Sequence, residues 1–199
     1  MPFDTLLPLT ALLFAMVWTP GPNNAMLSAS GAQFGYRATV PHILGVAFGF
    51  PLMLFAMAFG LGEIFLRSAI FQESLRWVGA ALLLYVAWKI ATSKRPGEAG
   101  ARRRPFRFYE AVAFQWINPK AWAMAIGIVS TFVTGNNPLL EASIAAGIAA
   151  GAGITSANGW AWFGVWMQRW LNTALRFKIF NLIMAAMIVM GIALLFLDH

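Results

Sequence analysis

WTPGPNN, residues 18–24, interrupts the first apolar run of the chain. Its two prolines lack a backbone N–H and the glycine between them has little helix preference, so we expect the helix to break here. A second interruption, WINPK at residues 116–120, lies in the fourth apolar run. Asn118 followed by Pro119 is the pattern of a helix N-cap with proline at the first helical position, and we predict that Asn23 or Asn24 caps the restarted first helix similarly.

Each break would expose the N-terminus of a half-helix inside an apolar run. Such an end carries partial positive charge and free N–H groups, which suit a carboxylate. Broken backbone at membrane depth is tolerated only where it packs in protein or lines a cavity, and paired breaks in matching spans are typical of a transporter site. The plainer interpretation is a pair of proline kinks that only shape the packing, but the matching positions favour the binding site.

The composition predicts an all-α integral membrane protein. Of 199 residues, 60% are hydrophobic, 14 are basic and 7 are acidic, a more apolar balance than soluble domains have. Six spans of about 20 residues need about 120 residues, which leaves only short connections. The chain has no cysteine and two histidines, so we expect no metal and no cofactor. Because the cations lie between apolar runs, we interpret the net charge of +7 as a topology signal and expect no nucleic-acid partner.

Charges and turn residues divide the chain into six predicted transmembrane helices. The spans are near residues 6–31, 42–66, 75–91, 108–133, 140–167 and 179–197. They form a single transmembrane domain, 1–199, with a first repeat at 1–92, a cytoplasmic loop of little fixed structure at 93–107 and a second repeat at 108–199. Three spans in each half force opposite orientations, which is the pattern of an inverted repeat. The first run follows Asp4 with no cation before it and no cleavage site after it, so we expect it to remain in the mature protein rather than act as a signal peptide.

Lys and Arg residues are distributed unequally between the predicted loops. The first, third and fifth loops hold ten of them, whereas the other side holds only Arg67 and Arg76. Short positive loops stay in the cytoplasm, so both termini are predicted to lie outside. Trp162, Trp166 and Trp170 recur at the inner end of the fifth span, where they form either an interfacial aromatic belt or a packing stripe.

Lys120 is a cation inside the fourth span, where insertion costs about 2.5 to 3.5 kcal/mol. A substrate carboxylate, an unseen acidic partner or water reached by snorkelling would compensate it. Further polar residues within the spans are predicted to hydrogen-bond either a substrate amino group or one another: Gln115, Thr155, Ser156 and Asn158. Two glycine pairs spaced by four residues predict close helix packing: Gly45 with Gly49, and Gly147 with Gly151.

At these positions the chain resembles the LysE/RhtB family of amino-acid exporters. The matching segments, in order and over essentially the full length, are TPGPNN at 19–24, the glycines at 45 and 49, WVGAA at 77–81 and NPK at 118–120. AWKIATS at 87–93 and STFV at 130–133 look particularly similar to the cysteine/O-acetylserine exporter branch. The resemblance implies export of small amino acids from the bacterial cytosol through a six-span protein of the inner membrane, driven by the proton gradient, so the outer side predicted for both termini is the periplasm. Because no acid lies deep in any span to pair with a cationic side chain, we expect small neutral amino acids rather than lysine or arginine.

One departure from the family concerns the proton carrier. Many relatives have a polar or acidic residue after the glycine at position 49, whereas this chain has Phe50 and Pro51. Glu63 or His42 would then have to carry the proton instead. These two are therefore our candidates for proton coupling.

The predicted substrate site lies between the interrupted first and fourth spans. Its residues are Pro20, Gly21, Pro22, Asn23, Asn24, Asn118, Pro119 and Lys120. The expected partners are an amino-acid substrate and membrane lipid, with a homo-oligomer left open. An assembly or scaffold protein without transport is the alternative. An intramembrane enzyme is disfavoured because the spans show no deep acid, paired carboxylates or clustered histidines.

Overall fold

The computed structural model of the chain describes residues 1, 3–95, 104–134 and 137–197, and these residues are helical apart from short connections. Within them the α-helices are α1 (Phe3–Trp18), α2 (Pro22–Phe34), α3 (Tyr36–Ala56), α4 (Gly62–Arg67), α5 (Ala69–Ala91), α6 (Phe108–Gln115), α7 (Pro119–Phe132), α8 (Pro138–Met167) and α9 (Ala174–Leu197). The predicted all-α class is confirmed.

Within the described ranges, four helical segments are long and apolar enough to cross a membrane. They are Tyr36–Arg67, Ala69–Ala91, Pro138–Met167 and Ala174–Ala193, and the bent pair Asp4–Trp18 and Pro22–Phe34 makes a fifth if it acts as one span. The first of these segments is kinked between α3 and α4, where the backbone angles of Phe59 and Gly60 are not helical. α6 and α7, at 8 and 14 residues, are about 12 and 21 Å long, and each is too short to cross about 30 Å of hydrocarbon alone.

Several helices begin earlier than the charges indicated. α3 begins at Tyr36 rather than near His42, and α5 at Ala69 rather than near Leu75. Arginines therefore lie within helices, where the sequence pattern placed loops. A long basic side chain extends its charged end toward water while its backbone stays helical, so a charge is a poor marker of where a helix ends.

Large apolar side chains cover the outer surface of the helices, with Ile70 82% and Leu175 67% exposed. Such a surface is suited to lipid rather than water. Trp162, Trp166 and Trp170 are each more than half exposed. These three rings therefore form an outward-facing row as an interfacial belt requires, and they are not a buried packing stripe.

Glycines set the closest helix contacts. A Cβ on Gly45 would collide with the carbonyl of Phe108, and one on Gly49 would lie 3.0 Å from the Cα of Val112, so α3 packs directly on α6 as predicted. The second predicted pair is wrong, because Cβ atoms on Gly147 and Gly151 would meet no described residue within 4 Å. Sequence spacing identifies a small-residue stripe, but it does not show which face of the helix meets a neighbour.

Other glycines, one on each helix, make the close contacts between α2 and α8. A Cβ on Gly164 would collide with the Ser28 carbonyl, and one on Gly31 with the Ala161 carbonyl. α2 is therefore held against α8 at backbone contact distance, and Ser28 Oγ donates to the Trp160 carbonyl at 3.0 Å. This packing fixes α2, the second half of the interrupted first span, in the interior of the protein.

The basic loop between α5 and α6 is described only at its two ends, and residues 96–103, including Arg102 and Arg103, lie outside the described residues. Beyond them, Arg104 makes a two-pronged ion pair with Glu110, with both N–O distances 2.7 Å. Glu110 also accepts from the Arg107 backbone N–H at 2.8 Å. The last residues of the loop are thereby fixed to the start of α6, where the sequence predicted little structure.

Candidate functional site

The first break occurs where predicted, but its capping differs from the prediction. α1 ends at Trp18, α2 begins at Pro22, and their axes are bent by 53°. The N-cap of α2 is Gly21 and no side chain caps this end, so the predicted cap by Asn23 or Asn24 is wrong. Both asparagines follow the proline and are already inside the helix, where their side chains point away from its first N–H groups.

The two asparagines make other bonds that hold the break together. Asn24 Nδ2 donates to the carbonyls of Val17 and Thr19, both at 2.9 Å, and Ser156 Oγ donates to the same Val17 carbonyl at 2.7 Å. These bonds satisfy carbonyls that the end of α1 leaves without helical partners. Asn23 Nδ2 donates to Gln115 Oε1 at 2.9 Å and so connects the first break to the second.

The second break follows the predicted pattern. α6 ends at Gln115, α7 begins at Pro119, and the Asn118 side chain accepts from the Lys120 backbone N–H at 3.2 Å. Asn118 is 2% exposed, so this cap is buried. The N-cap prediction for Asn118 is confirmed, and the N-terminus of α7 is formed inside the protein.

The two breaks meet around one cavity, although they are almost a hundred residues apart in the chain. It encloses about 50 Å³, which is room for a few water molecules. Among the described residues that line it, none is acidic. We name it the central cavity, and its polar or break-forming lining residues are Gly21, Pro22, Asn23, Asn24, Gln115, Asn118, Lys120 and Ser156.

The Lys120 ammonium group binds the end of α1. Its Nζ donates to the carbonyls of Thr19 at 3.0 Å and Pro20 at 3.4 Å. The C-terminal carbonyls of a helix carry partial negative charge, so they stabilise a cation without any carboxylate. The sequence did not suggest that backbone carbonyls would compensate the charge of Lys120. Gly21 permits it, since a Cβ there would be 3.0 Å from Nζ and 3.1 Å from Cδ of Lys120.

Of the other predicted site residues, Pro20 contacts Lys120, whereas Pro119 and Glu63 lie away from the central cavity. Pro20 contributes the carbonyl that accepts from Lys120, while Pro119 lines a different cavity beside Trp122. Glu63 is 73% exposed at its side chain and pairs with Arg67 at 3.2 Å, and it lines neither the central cavity nor the cavity beside Trp122.

His42 lies apart from the central cavity. It is 1% exposed, its Nδ1 is 3.2 Å from Ser30 Oγ, and it lines a cavity of about 440 Å³ between α2, α3, α5 and α9. We name this the lateral cavity. The two cavities share no lining residue.

The sequence pointed to two of the polar residues on these cavities, and a third was missed. Gln115 and Ser156 were weighed as polar groups within the spans and lie on the central cavity, whereas Asn158 bonds the Tyr36 hydroxyl and lines none of the cavities described above. Asn181, a buried residue of the lateral cavity, was missed. Its only signal was an amide within the apolar run of α9.

The sequence of residues 14–198 matches the family model described as LysE type translocator. The chain belongs to the LysE-type translocators. As a member of this family it is a transporter and not an enzyme. No solved structure matches this translocator.

Curated relatives of this LysE-type translocator are named cysteine/O-acetylserine efflux protein. The one from Salmonella choleraesuis (strain SC-B67) is 33% identical over 136 residues, which covers 63% of this chain and 68% of the relative. The one from Shigella flexneri serotype 5b is 30% identical over 133 residues, with the same coverage. The one from Escherichia coli O1:K1 / APEC is 32% identical over 115 residues, or 58% of each chain. The similarity to the exporter branch predicted from the sequence is thereby confirmed.

Proposed function

We propose that this LysE-type translocator exports small neutral amino acids, of the cysteine/O-acetylserine or threonine/homoserine type, from the cytosol in exchange for protons. The observation that carries the proposal is the central cavity, where the N-termini of α2 and α7 and the ammonium of Lys120 meet with no acidic residue among the described lining. The names of the curated relatives support the same substrate class.

The substrate carboxylate binds between the two helix ends and Lys120. The first N–H groups of a helix have no partners within it, so the start of α2 offers donors with partial positive charge. At the start of α7 the Lys120 N–H bonds the Asn118 side chain and the Ala121 N–H bonds the Asn118 carbonyl, so this end contributes the positive end of its helix dipole. An ammonium group has three donors, and two carbonyls accept from that of Lys120, which leaves one for the carboxylate. Amide oxygens of Asn23 and Gln115 suit the substrate amino group, at the expense of the bond between them.

Transport requires the central cavity to widen. Small-molecule pockets hold about 300–1,000 Å³, far more than the 50 Å³ found here. The bonds across the breaks, from Lys120 to the end of α1 and from Asn23 to Gln115, are the contacts that must exchange for contacts to substrate. Because both helices are already broken at this depth, their ends can separate without breaking helical hydrogen bonds.

His42 is the better of the two candidates for coupling export to protons. Histidine titrates in the physiological range, and His42 lies buried beside Ser30 on a large cavity. Glu63 is an exposed residue in an ion pair and faces none of the three cavities.

The six-span inverted repeat remains part of the proposal. α1 with α2 and α6 with α7 are the corresponding interrupted spans, and in each pair proline begins the second helix. Both termini face the periplasm and the basic loop at 93–107 faces the cytoplasm, on the strength of the uneven distribution of cations.

This orientation predicts the behaviour of reporter fusions. Alkaline phosphatase, which is active only in the periplasm, is expected to be active when fused after His199 and inactive when fused near Gly100. The cations of the odd-numbered loops hold those loops inside the cell. Equal amounts of each fusion, checked by immunoblot, serve as the control, and the reverse activity pattern would contradict the proposed orientation.

The substrate class is tested by counterflow of labelled amino acids in proteoliposomes. The apparent affinity for cysteine, O-acetylserine, threonine or homoserine is expected to be about a hundredfold higher than that for lysine or arginine. A dibasic substrate would place an unpaired cation in a cavity whose described lining has no acid. Protein-free liposomes are the control. Transport confined to lysine and arginine would refute the proposed substrate class, and the absence of any counterflow would favour a scaffold protein.

A further inference from the structure

The lateral cavity has the dimensions of a small-molecule site. At about 440 Å³ it is within the range of ligand pockets, and it is far larger than the central cavity. Its walls come from α2, α3, α5 and α9 together with the residues that follow α5. It therefore adjoins the basic loop that the proposed orientation places in the cytoplasm.

The interior of the lateral cavity is polar and buried. Ser30, His42 and Asn181 line it and are 6%, 1% and 2% exposed. Asn181 Nδ2 has no hydrogen-bond partner among the described residues. A buried donor without a partner is unfavourable, so a polar side chain placed on a cavity in this way points to an acceptor that arrives with a ligand.

The charges of the lateral cavity favour an acceptor that is negatively charged. Lys89 and Lys94 line it, and none of the described lining residues is acidic. Lys89 lies at the exposed edge of the cavity, with its Nζ 5.5 Å from the centre of the Tyr85 ring and 5.2 Å from that of the Trp88 ring. The apolar remainder of the lining, including Val86 and Phe106, suits a short side chain.

Polar contacts between α2 and the end of α5 border this cavity. Gln33 Oε1 accepts from Ser93 Oγ at 3.3 Å, and Gln33 Nε2 donates to the Lys94 carbonyl at 3.3 Å. α2 extends from the central cavity, at Asn23, to the lateral cavity, at Ser30 and Gln33. A solute in the lateral cavity is thus separated from Lys120 by about the length of α2, and it lies at the end of α2 nearer the basic loop.

The geometry points to a second amino-acid site in the lateral cavity, which holds the substrate before it passes to the central cavity. Asn181 Nδ2 donates to the substrate carboxylate, Lys89 contributes positive charge, and the oxygen atoms of Asn181 and Ser30 accept from the amino group. This inference rests on the proposed function, since it takes the same class of substrate and the same direction of transport.

Binding stoichiometry in the purified full-length protein tests the second site. Equilibrium dialysis with labelled O-acetyl-L-serine is expected to give two bound molecules per wild-type chain, and one each for Asn181→Leu and Lys120→Gln. In proteoliposomes Asn181→Leu is expected to raise KM about tenfold with kcat nearly unchanged, because one hydrogen bond to a charged group is lost at the first binding step. A merely structural role for Asn181 would lower kcat or the amount of folded protein instead.

Asn158→Leu is the matched control, because it removes another amide of a membrane-span helix that lines none of the three cavities. It is expected to keep both bound molecules and the wild-type KM. One bound molecule in a wild type that transports O-acetyl-L-serine would overturn the second site alone, whereas neither binding nor transport would overturn the proposed function with it. If Asn181→Leu does not fold, Lys120→Gln decides: one bound molecule supports the second site and none refutes it.

Discussion

Lys120→Gln is expected to reduce amino-acid counterflow to the level of protein-free liposomes while the protein still folds. The variant removes the positive charge that binds the substrate carboxylate and the ammonium that bridges to the carbonyls of Thr19 and Pro20. The measurement is initial counterflow of labelled O-acetylserine, with the folded fraction determined by size-exclusion chromatography. Folding is expected to persist because Lys120 is only half-buried and the N-cap bond of α7 uses its backbone.

A second variant at this position separates charge from geometry, and a lysine on α9 provides the control. Lys120→Arg keeps the charge but is expected to transport poorly, since the ammonium packs so closely on Gly21 that a Cβ there would be 3.0 Å from Nζ, and a planar guanidinium is wider than an ammonium. Lys178→Gln is the matched control at an exposed position of α9 and is expected to transport normally. Normal counterflow by Lys120→Gln would make Lys120 a structural residue and would refute the site assignment.

Gly164→Ala is expected to give the largest loss of stability among single methyl additions on α8. Its Cβ would collide with the Ser28 backbone carbonyl, which no side-chain rotation relieves, so α2 and α8 must move apart. Overpacking of this kind costs about 3 kcal/mol, which corresponds to a decrease in Tm of about 10 °C for a chain of this size. The measurement is the thermal unfolding midpoint of the purified protein in detergent.

Gly151→Ala on the same helix is the matched control. Gly151 is exposed and a Cβ there would meet nothing within 4 Å, so the change only removes glycine's backbone freedom. A slight increase in Tm is expected, since alanine is favoured over glycine in helices by about 0.5–1 kcal/mol. Equal Tm changes for Gly164→Ala and Gly151→Ala would mean that α2 and α8 do not pack at backbone contact distance.

The sequence alone determined the helical class, the positions of both breaks and the Asn118 cap. These are local properties: proline removes a donor wherever it stands, and an asparagine before proline caps whichever helix follows. Lys120 is likewise recognisable from the sequence, because the free-energy cost of inserting a cation follows from the apolar residues that surround it in the chain.

Only the tertiary structure decided what those residues contact. Asn23 and Asn24 bond to Gln115 and to the end of α1 instead of capping α2, because the chain bends by 53° and brings carbonyls within reach. Which glycines lie at helix contacts, Gly164 rather than Gly151, depends on the rotation of α8 about its axis. Asn181 acquired significance only from the cavity beside it. Each of these outcomes depends on segments distant in the chain, whose relative placement is set by packing of the whole bundle and not by any local preference.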